Sequence, residues 1–125
     1  MYFSIFKNSY IQLSLHQHLG EIKVEQMDLS RMQESAQRAS EMMKLLGHPH
    51  RLMILCELKI EERSVGDLSN SIGISQSLVS QHLARMRHEN VVTSRRDAQV
   101  VYYSLKDGEA ATIISTLYDI YCPKD

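Results

Sequence analysis

No apolar run in this 125-residue chain approaches the roughly 20 residues that span a bilayer, so no membrane helix is expected. Cysteine is scarce: Cys56 and Cys122 are the only two. Two are too few for a stapled secreted domain, and 66 positions separate them, so no CxxC or zinc-ribbon spacing exists. A thiol-keeping cytoplasm is the expected compartment. An excess of either charge is missing too. Fourteen Lys and Arg face fifteen Asp and Glu, for a formal charge of -1, so any surface for nucleic acid must be local. Glycine-rich phosphate loops, carboxylate dyads and metal motifs are absent, and no enzymatic activity and no cofactor are expected. There are no internal repeats and no low-complexity tract.

What is present is ordinary globular material: 43% hydrophobic, 23% charged and 6% aromatic, enough for one modest core. The segment 1–26 stands apart. Its apolar residues Tyr2, Phe3, Ile5, Phe6 and Tyr10 are interrupted by Ser4, Lys7, Asn8 and Ser9, and no helical or strand period is sustained. It lacks the basic start and continuous apolar stretch of a signal peptide. Met27 follows directly, so residues 1–26 read either as an extension upstream of the true start or as an arm. Residues 27–125 read as one domain.

From Ser30 the pattern is helical. Ser30 is placed to cap, with Gln33 as its capping-box partner, and Met32, Ala36, Ala39, Met43 and Leu46 recur at spacings of three and four. Gly47 ends that helix and Pro49 suits the first turn of the next. The second helix draws its stripe from Leu52, Met53, Leu55, Cys56 and Ile60.

The segment from Ser64 to Asn90 is the most informative. Ser64-Val65-Gly66-Asp67 is an S-x-x-D cap, and Val65, Leu68 and Ile72 make a short amphipathic helix. Gly73 stops it, Ile74 plugs the core and Ser75 caps the next helix. Leu78, Val79, Leu83 and Met86 line one face of that helix. Gln76, Ser77, Ser80, Gln81, Arg85 and His88 line the other. After Asn90 the period changes to two, giving strands over 91–96 and 99–105 joined at Asp97-Ala98. A last helix from Gly108 to Tyr121 carries Ile113, Ile114, Leu117, Ile120 and Tyr121. The expected fold is mainly α with a small β-hairpin: a winged helix-turn-helix in the order α-α-α-α-β-β-α.

Between Ala84 and Lys106 five cations, Arg85, Arg87, Arg95, Arg96 and Lys106, face only Glu89 and Asp97. Phosphate neutralisation supplies most non-specific affinity for DNA, so this local surplus outweighs the chain's total. Hydroxyls and amides suit base edges and phosphates. The residues expected at double-stranded DNA are Ser75, Gln76, Ser77, Ser80, Gln81 and Arg85 on the second helix of the motif, with Arg95 and Arg96 at the hairpin tip. The first and last helices are apolar enough to pair with a second copy. A two-fold dimer would present recognition helices roughly 34 Å apart to a palindromic site.

These residues resemble the ArsR/SmtB family of winged-helix repressors. The resemblance rests on 46–52 (Leu46-Gly47-His48-Pro49-His50-Arg51-Leu52), 65–68 and 75–83, and covers about residues 32–122. It implies a homodimer built on the first and last helices, and repression by operator occlusion that an inducer relieves. His82 matches a histidine common in the family's recognition helix, which implies either a DNA contact or, equally, a half-buried helix position. Soft-metal sensors of the family carry two cysteines where this chain has Ser64 and Gly66, and its zinc sensors use Asp and His on a last helix that here, from Gly108 to Cys122, has no histidine. No metal site is therefore expected at either place. The pair Cys56 and Cys122 is similar instead to the dithiol branch of the family. That branch implies sensing of reactive sulfur species or oxidants through a disulfide or polysulfide bridge. Cys122 is expected to be the more exposed and to react first, with Cys56 resolving it. Two alternatives remain: a histidine metal site drawn from His48, His50, His82 and His88 or from His16 and His18, and a winged helix used for protein contacts.

Overall fold

The computed structural model describes residues 28–122. The segment 1–26 lies outside them. By chain contacts the molecule divides into two compact units, 1–41 and 42–125. The elements are α1 (Leu29–Leu46), α2 (Pro49–Ile60), β1 (Arg63–Ser64), α3 (Val65–Ile72), α4 (Gln76–His88), β2 (Val92–Asp97), β3 (Val100–Leu105) and α5 (Glu109–Tyr121). No helix among the described residues is long and apolar enough to cross a membrane.

Asp28, not Ser30, caps α1. Its Oδ1 accepts from the Arg31 backbone N–H at 2.8 Å and from the Ser30 hydroxyl at 3.0 Å. A carboxylate suits the positive end of a helix dipole. The Arg31 N–H is also the main reason the Asp28 carboxyl stays below its ordinary range. Along α1, Ala36, Ala39 and Met43 are exposed within the single chain, whereas Leu45 and Leu46 are buried.

At the start of α2, His48 is the cap: its Nδ1 accepts from the His50 backbone N–H at 3.2 Å, with Pro49 next in the first turn. The buried face of α2 is Ile54, Leu55 and Leu58, while Met53 and Ile60 are exposed. Leu52, Leu55 and Cys56 of the expected stripe do pack on the core, which Ile54 and Leu58 widen, and Met53 and Ile60 fall outside it. Apolar residues occupy nearly every side of the helix, so period alone could not mark where the core face ends.

The sheet has three antiparallel strands in the order β1-β3-β2. The hairpin runs in register from Val92↔Leu105 to Asp97↔Val100, one residue later in β2 than expected. Its turn falls at Ala98-Gln99, with Ala98 at φ 57. On the far edge of β3, Arg63 pairs with Tyr103 and Ser64 with Tyr102. This two-residue strand was not expected. The core joins Ile54, Leu55 and Leu58 of α2 to Leu68 of α3, Val79, Leu83 and Met86 of α4, Val91 and Val92 at the hairpin's start, and Ile114 of α5.

Candidate nucleic-acid interface and thiol pair

Local chemistry sets the angle between α3 and α4. Ser64 Oγ accepts from the Asp67 N–H at 3.1 Å, and the Asp67 carboxylate accepts from the Ser64 N–H at 3.3 Å, a complete capping box. Gly73 ends α3 at φ 85, a left-handed conformation open to glycine without penalty. The Ser69 hydroxyl donates to the Ile74 carbonyl across the turn. Ser75 then caps α4, its Oγ accepting from the Leu78 N–H at 3.1 Å.

Val79, His82, Leu83 and Met86 turn α4's inner face into the core. That leaves Gln76, Ser77, Ser80, Gln81 and Arg85 exposed, with Arg87 and His88 at the helix's end. Ser75 is exposed too, but its hydroxyl is engaged as the cap. His82 is placed differently from these. It is only 7% exposed, and its Nδ1 accepts from Arg51 Nε at 3.2 Å. In the single chain its ring lies among Arg51, His48 and His50. Burial above all, then the neighbouring His48 and Arg51, lowers its pKa.

The wing arginines lie within β2, short of the turn. Arg95 stands opposite Tyr102 and Arg96 opposite Val101. Arg95 is committed: its Nε donates to Glu62 Oε1 at 3.2 Å and Oε2 at 3.0 Å, its Nη2 pairs with the same carboxylate, and its guanidinium lies 4.8 Å from the Tyr102 ring centre. This bond to Arg95 is the chief cause holding the Glu62 carboxyl below its usual range. Arg96 is exposed.

Cys56 and Cys122 are both free thiols, and both are half-buried. Cys56 sits on α2 against the core, and Cys122 closes α5, its N–H donating to the Tyr118 carbonyl at 3.0 Å. The two helices pack on each other, with the Lys59 ammonium 4.9 Å from the Tyr118 ring centre. Burial pushes the Cys56 thiol pKa up, and a charge on Cys122 raises it further.

Arg51 and Glu62 are two residues that sequence reasoning left without a role. Each meets its partner across more than 30 positions, a contact that no local period encodes. Of the histidines considered for metal, His48, His50 and His82 come together, and His88 at the end of α4 is not among them. His16 and His18 lie outside the described residues.

Comparison with known proteins places this architecture. The family model for bacterial regulatory proteins of the arsR family matches residues 48–94. The HTH-type transcriptional regulator YgaV of Escherichia coli strain K12 is 45% identical over 97 residues, covering 77% of this chain and 98% of that protein. The transcriptional activator HlyU of Vibrio cholerae is 40% identical over 96 residues, covering 77% of this chain and 89% of that one. The crystal structure of the transcriptional repressor BigR from Xylella fastidiosa matches with a TM-score of 0.71 at 37% identity, covering 76% of this chain and 94% of that chain. The chain belongs to the arsR family of bacterial regulatory proteins, whose members are winged-helix, DNA-binding transcriptional regulators and not enzymes.

Proposed function

We propose that the protein is a dimeric repressor that releases its operator when Cys56 and Cys122 are joined through sulfur by reactive sulfur species or an oxidant. The observation that carries this reading is the position of the thiols: both free and both half-buried, one on α2 and one at the end of α5, two helices that pack on each other. A bond between them ties the last helix to the helix that supports α3 and α4. Exposed apolar residues on α1 and α5 supply the dimer contact. The outer face of α4 reads bases through Gln76, Ser77, Ser80, Gln81 and Arg85, and Ser75 and Arg96 contact the backbone.

The chemistry balances without a cofactor. The Cys122 thiolate attacks the outer sulfur of an organic persulfide, R–S–SH, releasing the thiol R–SH and leaving Cys122–S–SH. The Cys56 thiolate attacks the sulfur attached to Cys122 and expels HS⁻, giving a disulfide. If a second persulfide has first extended this to Cys122–S–S–SH, attack of the Cys56 thiolate on the middle sulfur expels HS⁻ and leaves a trisulfide. A direct disulfide needs Cα atoms about 4.4–6.8 Å apart, and added sulfur relaxes that demand.

Fluorescence anisotropy with DNA from upstream of the protein's own gene, at one salt concentration, tests this. Reduced protein binds, persulfide-treated protein binds at least tenfold more weakly, and a thiol reductant restores affinity. Tenfold corresponds to a difference of about 1.4 kcal/mol between the two states. Unchanged affinity, with mass spectrometry showing Cys56 and Cys122 joined, would overturn the switch and leave the operator reading standing. Anisotropy reads occupancy, so the same test serves whether occupancy represses or, as HlyU's name has it, activates.

A further inference from the structure

Three imidazoles meet where α2 begins, beside the buried face of α4. Ring centres lie 4.6 Å apart for His48 and His82, 5.4 Å for His48 and His50, and 5.9 Å for His50 and His82. One ring nitrogen from each falls within 4.8 Å of the other two. Two ring nitrogens of the cluster, His50 Nδ1 and His82 Nε2, are buried and have no hydrogen-bond partner. Buried polar atoms are nearly always partnered, so two orphans in one small cluster call for a ligand.

We infer that His48, His50 and His82 form a site for a late first-row transition-metal dication such as Zn²⁺, with a fourth position left open to water. Imidazole is a good ligand for these ions. Among the described residues no carboxylate or thiol joins the group, which disfavours Ca²⁺ and Mg²⁺, ions that require oxygen. Nitrogens bound at about 2.1 Å around a tetrahedral centre lie about 3.4 Å apart, so the rings draw in by about an ångström on binding.

The proton positions give the site a consequence. His82 accepts on Nδ1 from Arg51, and His48 accepts on Nδ1 from the His50 N–H. A neutral ring engaged in this way carries its proton on Nε2. When a metal takes His82 Nε2, the proton moves to Nδ1 and Arg51 must let go. Arg51 keeps its bond from Nη1 to the Leu45 carbonyl, at 2.8 Å. For His48, either nitrogen used as ligand ends the cap on the His50 N–H, because Nδ1 is then metal-bound or protonated. Metal therefore competes with two contacts: the α2 cap, and the Arg51 bond that joins α2 to α4.

The test uses the full chain with Cys56→Ser and Cys122→Ser, which removes the thiols as ligands, and titrates Co²⁺ alone, then Zn²⁺ in competition with a chelator. One equivalent of Co²⁺ gives the intense visible absorption of a four-coordinate site, and Zn²⁺ displaces it. Adding His50→Ala or His48→Ala weakens Zn²⁺ at least tenfold, with the helical circular dichroism retained. Adding Arg51→Met strengthens Zn²⁺ binding severalfold by removing the competitor for His82. Absence of saturable binding overturns the site. So does binding that survives His50→Ala and His48→Ala but is lost with His16→Ala and His18→Ala. None of these readouts uses DNA or a thiol, so failure of the metal site and failure of the thiol switch are separate results.

Discussion

A single guanidinium joins the buried face of α4 to two other helices, since Arg51 bonds both His82 and the Leu45 carbonyl. Comparable detail decides how the thiols react. The thiolate is the reacting species, and burial of Cys56, with the charge of Cys122 beside it, raises the pH at which Cys56 ionises. At a given pH below that point, less of Cys56 is thiolate than of an ordinary cysteine, so it reacts more slowly. Replacing Cys122 by serine removes one negative neighbour. Ionisation of Cys56 then becomes easier, and its pKa falls. It stays above the ordinary value because burial is the larger cause. Rates of iodoacetamide alkylation measured against pH by mass spectrometry should show the Cys56 profile moved to lower pH in the Cys122→Ser protein. An unmoved profile would mean the sulfurs are not neighbours, and would remove the main support for a bridge.

At the scale of elements, the wing holds its charge in two ways. Arg96 is exposed, whereas Arg95 is occupied by Glu62. Glu62→Gln should free Arg95 for a phosphate, raising affinity for all DNA sequences and steepening the slope of log K against log salt by about one. Arg96→Ala should weaken binding uniformly and make that slope shallower by about one. If Glu62→Gln leaves the slope unchanged, Arg95 serves the fold and not DNA. The Arg95–Glu62 pair was not legible in the sequence because it closes across 33 positions. The same holds for Arg51 and His82, and for β1, which is too short to carry a period. The α3–α4 motif was legible because its signals are local: the Ser64–Asp67 box, Gly73 at positive φ and Ser75 as cap each act within four residues. Where two local signals compete, as Asp28 and Ser30 do at α1, the sequence could not choose between them. On α2 it found Leu52, Leu55 and Cys56 on the core side but also included Met53 and Ile60, because the helix is apolar on nearly every side.

At the scale of the whole molecule, the single chain leaves apolar surface that its own core does not cover. On α5, Ile120 is 64% and Tyr121 77% exposed, and on α1 Leu29 and Met43 are also exposed. Side chains of this size in water are the expected edge of a subunit contact, and a two-fold dimer is what a palindromic operator needs. A charge placed in that contact should be costly, since burying an unpaired carboxylate is strongly unfavourable. Ile120→Glu should therefore shift the protein from dimer to monomer at micromolar concentration in sedimentation experiments. The side chain is exposed in the monomer, so helical content and thermal unfolding of the isolated subunit should change little. Operator affinity should fall by a factor of about 10²–10⁴, the advantage that linking two binding modules confers, while affinity for a single half-site stays as it was. The half-site measurement gives the result its meaning. Equal loss on half-site and full operator would point to damage to α4 itself, and a monomeric variant that holds the full operator as tightly as the unaltered protein would remove the dimer from the mechanism.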